Sequence, residues 1–325
     1  MKQRPSVSVI IVSWNACAFL RECLQSLSAG VSEYPMEIIV VDNASSDGSA
    51  ECVEHEFSHV RLVRSPSNLG FARANNLGIC QSAGDYVCLV NSDVNVHRGC
   101  ITQLVDYCEA HLETGLAGPL IFGADGKIQR SCWGFPSVWN MFCRALAVDT
   151  IFPRVKVFGG YELGYWRQDT TRPVDILGGC FWLARRRALS GVGLLDESFF
   201  MYGEDMDWCR RFWSNGWKVA FVAEAQATHY GGASSANAPV RFYIERQRAD
   251  LQYWAKHHSR AGLAAYYLVS ILHMMVRLCG YGLASCVSAR SEHRHKWRRS
   301  IACLRFLLSR RWQQTRTLSR SVAEA

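Results

Sequence analysis

The chain has 325 residues, of which 49 % are hydrophobic and 20 % charged. That balance excludes global disorder, and the length suits one large α/β domain with an appendage. The net charge of +8 is uneven: residues 1–240 hold 20 Lys and Arg against 24 Asp and Glu, and residues 241–325 hold 16 against 4.

Lys2 and Arg4 precede the apolar run Val7–Val12. The run is too short for a signal peptide and lacks a small-residue cleavage site, so a strand covered on both faces is expected. Asn15 is placed to cap the next segment, where Leu20, Leu24 and Leu27 recur at helical spacing before Gly30. Glu37–Val41 reads as a second buried strand ending at Asp42, followed by turn residues to Gly48 and a helix to about Phe57. Val60–Val63 is a third strand, and Asn68-Leu69-Gly70 turns into a helix over 72–81. Gly84 breaks that helix, and Tyr86–Val90 is a fourth strand ending at Asn91-Ser92-Asp93. This alternation predicts a doubly wound, mainly parallel sheet with right-handed crossovers. Ligands of such sheets lie beyond the carboxyl ends of the strands, where Asp42 and Asp93 fall.

Residues 120–175 are rich in aromatics and glycine and read as loops and short strands walling a cleft. Trp133, Tyr161, Tyr165 and Trp166 are candidates for an acceptor wall there. Glu204-Asp205-Met206-Asp207 opens a helix to about Asn215, and Lys218–Val222 is a strand before His229. Arg241–His258 reads as a polar helix. Residues 263–289 are mostly apolar, interrupted by His273 and Arg277, with Gly280 and Gly282 dividing them into two shorter helices. Arg294, Lys296, Arg298 and Arg299 follow, and then Ile301, Leu304, Leu307 and Leu308 at helical spacing. Interfacial helices carry this combination. Peripheral attachment to an anionic inner leaflet is therefore expected, with packing against the catalytic domain as the other reading. The expected organisation is one α/β domain over 1–240, in two halves at 1–95 and 96–240. A basic helical extension then covers 241–325.

Three constellations carry chemistry. Asp42 precedes the turn-rich NASSDGS, where its carboxylate can accept hydrogen bonds from a base or ribose, although a turn aspartate does the same for backbone. Asn91-Ser92-Asp93 places two oxygen-bearing side chains one residue apart, a pattern that suits Mg²⁺ or Mn²⁺ together with a diphosphate. Glu204, Asp205 and Asp207 crowd three carboxylates into one turn. Such crowding raises at least one pKa and suits a general base, beyond what a helix dipole alone requires. A neutral His229 beside Gly231-Gly232 could complete a metal shell. Fourteen cysteines with no CxxC pair fit reduced thiols in the cytosol and exclude a zinc ribbon.

Together these stretches resemble glycosyltransferase family 2. The resemblance is carried by VSVIIVSWNACAFLRECLQSL at 7–27, EIIVVDNASSDGS at 37–49, NLGFARANNLGI at 68–79 and GDYVCLVNSDV at 84–94. It continues in the glycine- and acid-rich stretch at 178–217 and in ATHYGG at 227–232. The chain is most similar to the bacterial rhamnosyltransferase-like branch. The resemblance implies a GT-A fold, a Rossmann-like mainly parallel sheet with helices on both faces, and a C-terminal helical extension. It implies inverting transfer of a sugar from a nucleoside-diphosphate donor to a saccharide or lipid-linked acceptor, with Mg²⁺ or Mn²⁺ as cofactor. Carried over to this chain, Asp205 is the base, and Asp93 and His229 approach the metal. Asp42, Asn43, Asn68, Arg73 and Asn91 belong to the donor site, with Glu204, Asp207 and Trp166 as secondary candidates. Asn91 stands where the family's DXD motif has Asp, so one metal-facing charge is missing.

Two other functions are less well supported. A sugar-phosphate nucleotidyltransferase would need a glycine-rich basic loop after the first strand, and Ser13-Trp14-Asn15-Ala16 stands there instead. The basic tail could suggest nucleic acid, but it has no zinc-finger, RNP or helix-turn-helix signature, so no nucleic-acid partner is expected.

Overall fold

In the computed structural model, which describes residues 4–30, 32–231, 239–287 and 291–309, the N-terminal apolar segments become four parallel strands. These are β1 (Val7–Ser13), β2 (Met36–Asp42), β3 (Arg61–Arg64) and β4 (Tyr86–Asn91), in the spatial order β3-β2-β1-β4. Helices α1 (Cys17–Ala29), α2 (Ser49–Glu56) and α3 (Phe71–Cys80) alternate with them. Val9, Ile11, Ile38 and Val40 share a core with Leu20, Leu24 and Val53 of α1 and α2. The intervening Ile10 and Val41 meet α3, where a Cβ at Gly78 would lie 2.4 Å from Ile10 Cγ2. Both faces are covered at the centre of β1 and β2, which is why Val9–Val12 and Ile38–Val41 are continuously apolar rather than alternating. Asn15 does not cap α1. Its Oδ1 accepts from Ser46 N at 2.8 Å, and Asp47 Oδ2 instead accepts from Cys17 N at 2.8 Å.

Further along the chain come β5 (Val94–Val96), α4 (Cys100–Ala110), β6 (Thr114–Phe122), β7 (Cys132–Trp133), α5 (Val138–Ala145), α6 (Val148–Ile151) and α7 (Lys156–Gly159). They are followed by β8 (Arg172–Pro173), β9 (Ile176–Leu177), β10 (Phe181–Arg185), α8 (Arg186–Val192), α9 (Glu204–Ser214) and β11 (Lys218–His229). β10 enters antiparallel between β4 and β6, β11 runs parallel to β6, and β5 is antiparallel to β11. The order is β3-β2-β1-β4-β10-β6-β11-β5, with β8 on β11 as the ninth strand. β11 continues past the predicted Val222 because a register shift between Val222 and Gln226 lets it resume pairing with β6 and reach His229.

Three helices, α5–α7, stand where loops and short strands were expected. α5 opens on a capping box in which Ser137 Oγ accepts from Asn140 N and Asn140 Oδ1 accepts from Ser137 N. The C-terminal part forms α10 (Pro239–His257), α11 (Arg260–Val287) and α12 (Ser291–Leu308). α11 runs unbroken through Gly280 and Gly282, contrary to the predicted break. Each glycine costs only about 1 kcal/mol in a helix, and packing outweighs that. Gly282 also admits the Trp297 ring, 3.3 Å from where its Cβ would be.

The described residues form two compact units. One holds residues 4–133, 167–200 and 204–231 and contains the whole sheet. The other holds residues 134–166, 201–203 and 239–309 and is helical, with α11 packed against α5, α10 and α12.

Candidate active site

The carboxyl ends of the parallel strands assemble the first part of the site. Ser13 stands beside Asp42 in the β1–β2 register, and Val12 beside Asn91 in the β1–β4 register. Asp42 is buried. Its Oδ2 accepts from Ser45 N at 3.3 Å, while its Oδ1 and the Ser13 hydroxyl have no hydrogen-bond partner among the described residues. A buried oxygen without a partner costs about 1–3 kcal/mol, so this pair is suited to a donor from a ligand.

Asn43 and Asn68 shape the adjacent loop. Asn43 Oδ1 accepts from Leu69 N at 2.8 Å, and its Nδ2 donates to Asn68 Oδ1 at 3.0 Å. Asn68 Oδ1 also accepts from Gly70 N at 2.9 Å. Gly70 has φ +79° and ψ −179°, a conformation reserved for glycine, and a Cβ there would lie 2.5 Å from Phe200 O. Phe71 N donates to that same oxygen at 2.9 Å, so the loop after β3 is tied to the segment leading into α9. Arg73 is exposed and faces Glu197 at 3.8 Å.

Asp93 lies in the tight turn between β4 and β5, and His229 ends β11 opposite Val94. The pairing brings Asp93 Oδ1 to 3.3 Å from His229 Nε2, with both side chains largely buried. His229 Nδ1 lies 3.2 Å from Gln129 Oε1. That amide oxygen can only accept, so it fixes the proton on Nδ1 and leaves Nε2 turned towards Asp93. One carboxylate oxygen and one imidazole nitrogen are donors that Mn²⁺ or Mg²⁺ accepts. Among the described residues no group of three or more His, Cys, Asp or Glu gathers around an ion. An ion here would therefore complete its shell with diphosphate oxygens and water, as Mg²⁺ commonly does.

The acidic turn of α9 separates its three carboxylates. Asp207 is buried and pairs with Arg211 Nε at 2.8 Å, and Arg211 also donates to Val192 O at 2.6 Å. Glu204 is buried, its Oε2 without a hydrogen-bond partner among the described residues, and burial followed by the neighbouring Asp205 charge pushes its carboxyl up to about 8. Asp205 is half-buried, and its Oδ1 accepts from Met206 N at 2.8 Å. Burial, and then the charges of Asp93 and Asp205, push the Cys180 thiol up to about 12. Asn91 N donates to Cys180 O at 3.0 Å, which holds β4 against this point.

Trp166 belongs to the helical unit and is buried there. Gln129, Cys180 and the contact between Gly70 and Phe200 were not singled out in the sequence. No spacing links Gln129 to His229 across 100 residues of chain.

The sequence pattern of "Glycosyl transferase family 2" matches residues 8–190. N-acetylglucosaminyl-diphospho-decaprenol L-rhamnosyltransferase of Mycobacterium tuberculosis is 30 % identical over 262 residues, covering 77 % of this chain and 84 % of that protein. Low-salt glycan biosynthesis hexosyltransferase Agl10 of Haloferax volcanii is 25 % identical over 210 residues, covering 63 % of this chain and 61 % of that one. Among solved structures, mannosyltransferase PcManGT from Pyrobaculum calidifontis, in complex with GDP-Man and Mn²⁺, superposes with a TM-score of 0.58 at 16 % identity. That superposition covers 96 % of this chain and 88 % of that one. Glucosyl-3-phosphoglycerate synthase from Mycobacterium tuberculosis gives a TM-score of 0.52 at 18 % identity, over 77 % and 79 % of the two chains. The structural likenesses establish the fold, and the sequence match establishes the family: this chain belongs to glycosyl transferase family 2, as a rhamnosyltransferase-like glycosyltransferase on a GT-A fold.

Proposed function

We propose that the protein is an inverting, divalent-metal-dependent transferase. It moves a sugar from a nucleoside-diphosphate donor to a hydroxyl of a growing cell-surface polysaccharide or lipid-linked saccharide. The observation that supports this reading is the largely buried pair of Asp93 Oδ1 and His229 Nε2, 3.3 Å apart, which offers a divalent ion one carboxylate and one imidazole donor. Asp42 and Ser13 offer unpaired buried oxygens to the nucleoside, with Asn43 and Asn68 holding the loop beside it. Asp93 and His229 would hold Mg²⁺ or Mn²⁺, whose charge offsets that of the departing diphosphate. Asp205 takes the proton from the acceptor hydroxyl, whose oxygen attacks the anomeric carbon opposite the leaving group, so a single displacement inverts that centre. Glu204, held neutral, does not compete as a base at neutral pH.

The name of the mycobacterial relative supports rhamnose as the sugar transferred and a polyprenyl-diphosphate-linked N-acetylglucosamine as the acceptor. The donor we propose is dTDP-rhamnose, ahead of UDP- and GDP-sugars. Donors of this kind place the reaction on the cytoplasmic side. A screen of nucleotide sugars with Mn²⁺ or Mg²⁺, following nucleoside-diphosphate release, tests the reading. Acceptor-dependent release of dTDP from dTDP-rhamnose is expected, and absence of release from every donor class contradicts it.

A further inference from the structure

The helical unit turns apolar side chains outward where a water-facing helix ordinarily carries charge. α11 exposes Ala264, Leu268, Met275, Val276, Leu283 and Val287, which fall on one side of the helix and include no charged residue. Leu268 is 65 % and Leu283 71 % exposed. The other side is engaged: Leu263, Tyr266 and Ser270 are buried, and Tyr267 OH donates to Leu307 O at 2.9 Å.

A second surface of the same unit repeats the pattern. Every residue of the segment IFPRVKV, 151–157, is exposed, and five are apolar, two basic and none acidic. Ile151 is 65 % and Val157 62 % exposed. Phe152 and Trp139 lie with ring centroids 6.0 and 6.3 Å from Phe158, so the segment sits on a small aromatic cluster. On α12, Arg294 and Arg298 are exposed one turn apart beside the exposed Trp297.

The charges select the occupant. Segment 151–157 carries exposed Arg154 and Lys156, and α12 carries exposed Arg294 and Arg298, in keeping with the 16 Lys and Arg against 4 Asp and Glu of residues 241–325. A second copy of the chain would set these basic rims against each other. An anionic bilayer accepts both features, at about 1 kcal/mol per basic residue near its surface plus burial of the apolar side chains. A membrane-spanning α11 is disfavoured because it packs along α12, whose Lys296–Glu292 pair and Arg299, stacked 3.8 Å over the Tyr243 ring, belong in water.

We propose that the helical unit docks on an anionic lipid bilayer through segment 151–157 and the outer stripe of α11. The apolar side chains enter the headgroup boundary, while Arg154, Lys156, Arg294 and Arg298 meet lipid phosphates. Docking goes beyond sugar transfer and does not depend on it, because lipid binding is read without donor or acceptor.

The test is co-sedimentation of the full chain with vesicles of phosphatidylcholine alone and of phosphatidylcholine mixed with phosphatidylglycerol. Two surface variants are compared, Ile151→Glu/Val157→Glu and Leu268→Glu/Leu283→Glu, with folding checked by thermal unfolding. The expected result is salt-sensitive binding to the anionic vesicles, weakened ~10-fold or more in each variant. Absence of binding to anionic vesicles, or wild-type binding in both variants, overturns the proposal. So does a self-associated protein that either variant converts to monomer without changing lipid binding.

Discussion

Glu204, Asp205 and Asp207 share one helical turn but occupy three different environments. Asp207 is paired with Arg211, Glu204 is buried and holds its proton, and Asp205 is half-buried with partial access to solvent. Asp205→Asn is therefore expected to preserve folding and donor affinity while transfer falls by ~10²-fold or more, read as kcat with donor binding measured separately. Near-normal turnover would move the role to another group. Glu204 makes a different prediction. Its carboxyl rises from 4.5 to about 8 in the folded protein, so the folded state keeps a proton that the unfolded chain releases. Stability is complete below the unfolded value and declines as pH rises between those two values, by up to about 1.4 kcal/mol per pH unit. Thermal unfolding across that window should show the decline in wild type but not in Glu204→Gln. Parallel curves would contradict the buried-acid assignment. Gln129→Leu should weaken Mn²⁺-dependent donor binding by ~10-fold or more through loss of the histidine orientation, and unchanged Mn²⁺ dependence would argue against that role. Sequence spacing singled out Asp42, Asp93, the acidic turn and His229 as candidates. It could not separate Glu204 from Asp205, because that difference lies in burial. Gln129 was invisible because only the pairing of β11 with β5 and β6 brings it to His229.

At the scale of elements, the loop from Asn68 to Phe71 is under the tightest constraint. Gly70→Ala must strain the backbone at φ +79° and press on Phe200 O, so a loss of about 1–3 kcal/mol is expected in urea unfolding. Donor affinity should fall as well, since the strain acts on the segment leading into α9. A variant as stable as wild type would mean that the loop yields easily. The parallel strands β1, β2 and β4 were legible because each is a short, largely apolar run ended by a turn or an acid. α4 and β6 were not, since helical and strand periodicity are hard to distinguish in the mixed stretch from Cys100 to Phe122. α11 was predicted as two helices from its glycines, whose local preference is small beside the packing of α5 and α12 on the same helix.

At the scale of the molecule, the helical unit draws on distant stretches of chain, with α5 packed against α11. Burial of Cys143 and Ala145 and the press of Arg144 on His273, which burial first lowers to about 3, belong to that arrangement. A fragment ending at residue 240 should therefore aggregate or unfold without cooperativity. A soluble fragment with a sharp thermal transition would show that 134–166 is stable alone. The uneven charge was visible from composition, whereas the outward apolar stripe was not, because hydropathy gives the length of a helix and not which side is covered. The central claim is inverting, metal-dependent transfer, and the anomeric configuration of the product tests it most directly. With dTDP-rhamnose, a polyprenyl-diphosphate-linked N-acetylglucosamine and Mn²⁺, NMR of the product should show the configuration opposite to the donor's, with no product in EDTA. A product that keeps the donor's configuration, or forms unimpaired in chelator, would contradict the account.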